Sequence, residues 1–497
     1  MAKEITLQEV SSHSSADSCW IVLYGKVYDV TAFAPSHPGG PEAILRVAGT
    51  DATEEYDPIH PPGTLEEHLP EECLLGKFRE SPVKTEDSAQ HQVAKNESKV
   101  LYSQEPYKIP SNLEQCLNLN DIEYLATSKI SKRAWSYYYG AGDDLISKAY
   151  NNLVYQKILF RPRVFVDIVK CSLDTTLLQG QLKLRLPFYV SPAAQARLVH
   201  PSGEGGMAQA CHKAGALQII SNNASLTPEQ IVEASPETEF GFQLYVQEDR
   251  ARSVELLARI KKLPQIKFIC LTLDAAVPGK REHDERRYLE GAPQKKIEKA
   301  KPYDPQAATD DKSGGVAKAL FAGIAMDLTW MTTLPWLEEH SDLPLVLKGI
   351  QTHEDALMAS QHPQIKAIIL SNHGGRSLDT APPAIHTLLE IRHHCPQVFD
   401  RLEIWVDGGI KRGTDVVKAL CLGAKAVGLG RSPLWGLGAG GPEGVEKVLS
   451  ILRREMKTTL RLLGVEKVEQ LGRHHVNSRV VEQEIYLEPS RLGGSKL

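Results

Sequence analysis

At 497 residues, 42% hydrophobic and 24% charged, the chain is too long for one ordinary domain and has the make-up of a folded, water-soluble protein. The apolar stretch 319–337 is interrupted by Asp327 and Pro335, which makes it a poor membrane span, so no membrane insertion is expected; nor is a nucleic-acid partner expected. The net charge of −5 is unevenly placed: residues 1–80 carry 5 Lys and Arg against 14 Asp and Glu, and the remainder carries 52 against 48. An acidic first segment suits a basic protein partner.

The eight cysteines, at 19, 73, 116, 171, 211, 270, 395 and 421, form no CxxC pair. That spacing argues against a zinc cluster or a compact disulfide framework and predicts reduced, mostly buried thiols. The opening Met-Ala-Lys-Glu-Ile-Thr lacks the apolar core of a signal peptide and is not Arg-rich, which predicts a cytoplasmic protein.

In chain order, Trp20–Tyr24 and Lys26–Val30 read as strands with Gly25 as the turn between them. Pro35-Ser-His-Pro-Gly-Gly40 follows, then helix-like stretches at 41–48 and 51–56, and His60 in a Pro-flanked loop. His37 and His60 each sit in a loop beside a short helix, and neutral imidazoles are good axial ligands for haem iron. Ser18-Cys-Trp-Ile-Val, Val27-Tyr-Asp-Val-Thr, His37-Pro-Gly-Gly40, His60 and the closing Leu74-Leu-Gly-Lys-Phe78 resemble a cytochrome b5 domain. The resemblance implies a small α+β haem domain over 1–80, with His37 and His60 on the iron of haem b. Residues 81–104 are polar and poor in large apolar side chains, which predicts a flexible linker.

From about 105 to 497, apolar runs alternate with helical patterns. The candidate strands are Leu186–Ser191, Leu217–Ser221, Phe240–Val246, Phe268–Asp274, Leu343–Gly349, Ala367–Ser371, Glu403–Gly408 and Ala426–Gly430. Helical patterns lie between them at Gly203–Ala214, Pro228–Ala234, Arg250–Lys262, Thr352–Gln361 and Arg412–Leu422. Eight strands alternating with helices predict a (β/α)8 TIM barrel, α/β in class, whose catalytic groups belong at the C-terminal ends of the strands.

The densest strand end is Ser371-Asn-His-Gly-Gly-Arg-Ser-Leu-Asp379. His373 is a proton acceptor near neutral pH, Gly374 and Gly375 allow a tight turn, and Arg376 offers a planar fork to a carboxylate. A base and a clamp three residues apart point to an acid substrate. The ends at Asp407-Gly-Gly409 and Gly430-Arg431 are Gly-rich and basic, which suits a phosphate.

Trp135-Ser-Tyr-Tyr, Phe160-Arg-Pro-Arg, Gln243-Leu-Tyr, Leu271-Thr-Leu-Asp, Gly279-Lys-Arg-Glu, Leu347-Lys-Gly, Ser371-Asn-His-Gly-Gly-Arg, Asp407-Gly-Gly and Gly430-Arg resemble the FMN-dependent 2-hydroxy-acid dehydrogenases and oxidases. The fusion of the two domains is similar to the flavocytochrome b2 family, the cytochrome-type L-lactate dehydrogenases. The resemblance implies oxidation of an L-2-hydroxy acid, L-lactate foremost, with FMN, and electron flow through haem to cytochrome c. It also implies a homotetramer, whose C-terminal tails (here 478–497) pack on neighbouring subunits, and the mitochondrial intermembrane space as an alternative location.

Residue by residue, the resemblance makes His373 the base and Asp274 the partner that stabilises its imidazolium. Tyr245 binds the substrate hydroxyl, Arg376 and Tyr137 hold its carboxylate, and Arg281 adds positive charge. Tyr138 and Tyr139 compete for the Tyr137 role. Lys348 stands by the flavin N1, and Ala193, Ala194, Ser221, Gln243, Thr272 and Ser371 contact FMN. Asp407, Gly408, Gly409, Lys411, Gly430 and Arg431 match the ribityl-phosphate region.

Two features depart from the family pattern. Lys411 replaces an Arg, and Gln195 and Asn223 replace apolar residues on the side of the pocket that receives the substrate's R group. Unpaired polar groups there would favour a more polar 2-hydroxy acid. An oxygen-using oxidase and a haem sensor module on an inactive barrel are the competing functions. The stretch 290–315 is polar and Lys-rich and reads as a mobile loop over the fourth strand end.

Overall fold

The computed structural model describes residues 4–37, 41–45, 47–56, 64–79, 110–291, 316, 320–321 and 323–487. The expected linker and almost all of 290–315 lie outside these residues, as does His60. The chain divides into two compact units, Met1–Tyr107 and Lys108–Leu497.

In the first unit, Ser18–Leu23 and Lys26–Asp29 pair antiparallel, and Leu74–Arg79 joins the second of them. The two-residue connection puts Tyr24 and Gly25 at φ 52° and 70°, the doubly left-handed turn that matches strand twist. Alternation along the first strand sends Cys19, Ile21 and Leu23 to one face, where they pack with Tyr28, Val30, Ala34, Ile44, Ala48, Ala52 and Leu65. Val22 goes to the other face, with Ile5, Val10 and Val27.

The second unit is a closed parallel barrel of eight strands. They are β1 Phe188–Val190, β2 Leu217–Ile220, β3 Phe240–Leu244, β4 Ile266–Thr272, β5 Leu345–Ile350, β6 Ile365–Leu370, β7 Glu403–Asp407 and β8 Ala426–Leu429, and β8 closes on β1. Every expected strand is present, because strands buried on both faces read as continuous apolar runs. Helices Gly203–Ala214 and Pro228–Ala234 occupy the expected spans.

The barrel interior is an apolar cluster that includes Tyr189, Phe268, Cys270, Ile369 and Trp405. A hairpin, Thr175–Leu177 and Leu182–Leu184, adds Leu177, Leu178, Leu182 and Leu184 to that cluster. Glu403, the first residue of β7, accepts from the backbone N–H of Leu178 (3.0 Å) and Gln179 (2.9 Å) and from Trp405 Nε1 (3.2 Å). The hairpin therefore closes the N-terminal end and leaves the other end for chemistry.

Three helices ahead of the barrel, Leu119–Thr127, Lys132–Tyr139 and Ile146–Gln156, were not marked by the strand–helix alternation. The third is tied to the loop after β6. Asp379 accepts from the N–H groups of Asp144, Ile146 and Ser147 at 3.1, 3.2 and 2.8 Å. Near the C-terminus, Glu484 bonds to Lys157 and Tyr150 at 2.6 Å each, so the first part of the expected tail is anchored on its own barrel. Residues 488–497 lie outside the described residues. All eight cysteines are free and six are buried. No described helix is long and apolar enough to cross a membrane.

Candidate active site

The loop after β6 bends through three successive left-handed residues, His373 (φ 58°), Gly374 (64°) and Gly375 (75°). For His373 this conformation costs about 1–2 kcal/mol, so neighbouring groups must hold it. Asn372 does much of this. Its Oδ1 accepts from Gly375 N at 3.1 Å, and its amide makes a reciprocal pair with Asn151, both bonds 2.8 Å. A Cβ on Gly375 would lie 2.6 Å from Lys148 N, so glycine is required there.

His373 Nδ1 lies 2.7 Å from Asp274 Oδ1, beyond the end of β4. The Asp274 side chain is fully buried. It can stand there because Gly349, at φ 100°, has no Cβ; one would lie 2.5 Å from the Asp274 Cβ. Burial pushes the Asp274 carboxyl up, but His373 and Lys348 beside it outweigh burial and hold it below its ordinary value. Burial pushes His373 down, Asp274 pulls it up, and Lys348 and Arg281 push it down, for a net lowering. At neutral pH the pair is therefore a carboxylate and a neutral imidazole. With Nδ1–H donating to Asp274, Nε2 is the basic nitrogen.

Lys348 Nζ sits between two carboxylates, 3.7 Å from Asp274 Oδ2 and 3.8 Å from Asp407 Oδ2. Burial opposes its charge, yet the two carboxylates raise its pKa above the ordinary lysine value. It also donates to Ser371 Oγ at 3.2 Å, which in turn accepts from His373 N at 3.0 Å. Ser371 thus stands behind the cavity wall and links lysine to base.

Arg376 Nη1 is pinned by the carbonyls of Tyr137, Tyr138 and Gly140 at 2.8, 3.3 and 2.9 Å. Its remaining edge, Nε and Nη2, is left for an anion. The Tyr137 ring lies 5.0 Å from this guanidinium. The Tyr138 hydroxyl, by contrast, donates to the carbonyls of Ala194 and Gln195, and Tyr139 stacks on Trp135 at 4.4 Å. Of the three tyrosines, Tyr137 has the arrangement suited to a substrate. Arg281 is buried, its Nε donates to Arg376 O at 3.1 Å, and burial followed by Arg376 lowers its pKa to about 9. It stays charged at neutral pH. Burial and Asp274 raise the pKa of Tyr245, keeping its hydroxyl a proton donor.

One cavity joins these groups. Tyr137, Tyr245, Arg281, Lys348, His373 and Arg376 line it with Ala193, Ala194, Ser221, Asn223, Gln243 and Thr272. Asp407, Gly408, Gly409, Lys411, Gly430 and Arg431 complete the far part of the wall. The fit to a flavin shows in buried polar atoms without protein partners: Gln243 Nε2, Thr272 Oγ1 and Asp407 Oδ1. Such atoms are costly unless something polar meets them. Gly430 has nothing within 4 Å of where a Cβ would stand, and Gly408 and Gly409 have φ of 98° and 76°. Gly430 leaves the backbone open where the resemblance places a phosphate, whereas a Cβ on Gly409 would lie 2.1 Å from Asn151 O, so that glycine lets the strand end pack on helix Ile146–Gln156.

Two expectations change. Gln195 does not line the cavity: at φ 61° its side chain turns away, and Nε2 donates to Asn223 O at 3.2 Å. Asn223 does line it, but its amide is satisfied internally. Nδ2 donates to Leu320 O (3.1 Å), and Oδ1 accepts from Asn222 Nδ2 (3.1 Å). Lys411 lines the cavity with its Nζ in an ion pair with Glu123. Burial pushes the Glu123 carboxyl up, and Lys411 outweighs this and lowers it.

Sequence reasoning passed over Glu123, Lys148, Asn151 and Asn152, all on the cavity wall. Lys148, Asn151 and Asn152 share one helix face at i, i+3 and i+4, a polar stripe that marks them in hindsight.

In the first unit, His37 is half-buried at the end of the turn Ala34–Ser36, with its ring 5.9 Å from Phe33. The second expected iron ligand, His60, lies outside the described residues.

The FMN-dependent dehydrogenase family model matches residues 126–478, and the cytochrome b5-like heme/steroid binding domain model matches residues 6–79. The chain is 36% identical over 476 residues to L-lactate dehydrogenase (cytochrome) of Saccharomyces cerevisiae, covering 94% of this chain and 79% of that protein. It is 34% identical over 359 residues to glycolate oxidase of Spinacia oleracea, covering 72% of this chain and 95% of that protein. Among solved structures, a mutant flavocytochrome b2 with pyruvate bound superposes with a TM-score of 0.66 at 34% identity, covering 81% of this chain and 95% of that one.

Proposed function

The chain belongs to the FMN-dependent dehydrogenases and carries a cytochrome b5-like haem domain ahead of the barrel, and from that premise we propose that it oxidises L-lactate to pyruvate and delivers the electrons to cytochrome c. When bound, FMN accepts the two electrons of the substrate and haem b relays them singly. The observation that carries this reading is the His373–Asp274 pair, opening onto a cavity where Arg376 keeps one donor edge free.

The chain's own groups divide the work. Arg376, with Tyr137, holds the substrate carboxylate, and a bidentate grip fixes the bond to be broken relative to the base. Tyr245 hydrogen-bonds the substrate hydroxyl. Nε2 of His373 takes a proton from the 2-hydroxy acid, and Asp274 stabilises the imidazolium that forms. Lys348, held charged by Asp274 and Asp407, provides positive potential beside Thr272 and Gln243, where the flavin's polar edge would find its donors. Gly408, Gly409, Gly430, Lys411 and Arg431 would hold its phosphate end.

The internal pairing of Asn223 favours lactate over a more polar acid. With one N–H and its Oδ1 already bonded within the protein, the amide has less to lose on meeting the substrate's methyl. The acidic 1–80 segment supports a basic carrier such as cytochrome c, and a homotetramer is the assembly that the family resemblance favours.

The test is anaerobic stopped-flow spectroscopy with a panel of 2-hydroxy acids. L-lactate should bleach the flavin and reduce the haem within the same turnover. A haem that stays oxidised while the flavin is fully bleached, with oxygen consumed once air is admitted, would replace this reading with an oxidase.

A further inference from the structure

Among the described residues, Lys148 is the one cation on the cavity wall that the reaction leaves without a task. It stands in the first turn of helix Ile146–Gln156, and its backbone packs under Gly375 of the catalytic loop. Its Nζ is buried, has no hydrogen-bond partner, and lies 2.9 Å from the centroid of the Tyr139 ring. The ring supplies cation–π attraction but no acceptor for the three N–H bonds.

The neighbouring cations are already engaged by protein. Arg431 donates from Nε to Tyr138 O (2.8 Å), from Nη1 to Gly374 O (3.0 Å) and from Nη2 to Gly140 O (3.1 Å). Lys411 is paired with Glu123. A phosphate monoester is a dianion with three acceptor oxygens. Arg431 and Lys411 supply charge to it but hold part of their donor capacity elsewhere.

We propose that Lys148 is a third phosphate-binding cation of the FMN site and, among the described residues, the one whose donors are free for the phosphate. Burial, then Arg431, drives the Lys148 pKa well below its ordinary value, with Glu123 opposing and Lys411 and Arg376 adding to the fall. Burial and neighbouring cations disfavour the ammonium on its own, and an anion bound beside it would restore that charge. The departure at Lys411 gains a physical meaning here. A point charge paired with Glu123 replaces an arginine fork, and Lys148 restores the donor count.

This inference rests on the FMN reading of the cavity, and the test separates the two. Full-length protein is stripped of FMN with haem retained, and its affinity for FMN and for riboflavin is measured by equilibrium ultrafiltration. Lys148→Met should lose about 10- to 100-fold in FMN affinity, the worth of one charge-assisted hydrogen bond, and leave riboflavin affinity unchanged. Lys148→Arg should keep most of the preference for FMN. FMN affinity unchanged in Lys148→Met would overturn the assignment. So would equal losses for both flavins, which would make Lys148 a prop for Tyr139. A wild-type protein with no preference for FMN over riboflavin would remove the cavity reading itself.

Discussion

At the N-terminal end of the barrel the strands enclose Tyr189, Phe268, Cys270 and Trp405 under the leucines of a hairpin; at the C-terminal end the same strands finish in Thr272, Lys348 and Asp407. On β4 the change takes four residues, from Phe268 inside the plug to Thr272 on the cavity wall, with Asp274 two residues further. Apolar burial and dispersion hold the first end together. The second end carries a buried lysine between two carboxylates, a strained histidine and polar atoms with no protein partner. Such groups lower stability on their own account. A closed, well-packed opposite end lets one fold tolerate them.

The largest effect expected at the open end follows from removing the base. His373→Gln should slow flavin reduction by substrate about 10²- to 10⁴-fold. The haem spectrum should stay unchanged, because His373 and the first unit's His37 belong to separate compact units. Single-turnover absorbance at the flavin and haem bands checks both. Flavin reduction at the wild-type rate would move the base elsewhere.

At the closed end the mirror experiment is Trp405→Ala. Trp405 is fully buried against Tyr189 (5.4 Å between rings) and Phe268 (5.6 Å). Its removal should cost about 3–5 kcal/mol of stability, read as a shift in the denaturation midpoint. The protein that remains folded should reduce its flavin at a rate near wild type. A large loss of turnover in that folded fraction would mean that the two ends are not separable in the way the packing implies.

The same contrast explains what was legible in the sequence. The apolar strands announce themselves by composition, and their ends by the sudden run of polar residues, so the barrel, His373 and Arg376 could be read directly, while Asp274 and Lys348 took their roles from the family resemblance. Helices ahead of the barrel carry Glu123, Tyr137 and Lys148 into the cavity from outside the repeating pattern, and only the Trp135-Ser-Tyr-Tyr resemblance marked one of them. Gln195 was misplaced because its orientation depends on the Asn223 carbonyl, 28 residues away, and on a left-handed backbone at a non-glycine. Composition does not encode which way such a residue turns.

The smallest effect tests the electrostatics of the open end. Burial holds His373 below the ordinary histidine value of 6.5, against the pull of Asp274. The base acts as neutral imidazole, so kcat/KM should rise with pH through an apparent pKa below 6.5 and level off above it. Asp274→Asn removes the group that favours the imidazolium. Burial, Lys348 and Arg281 are then unopposed, and the acid limb should move to still lower pH. The level region should fall by about 10- to 100-fold, since a charge-assisted hydrogen bond that strengthens as the imidazolium forms is worth about 1.5–3 kcal/mol. A pH–rate profile of the variant reads both changes at once. An acid limb that stays in place or moves up would show that Asp274 only orients the ring and does not set the basicity of His373.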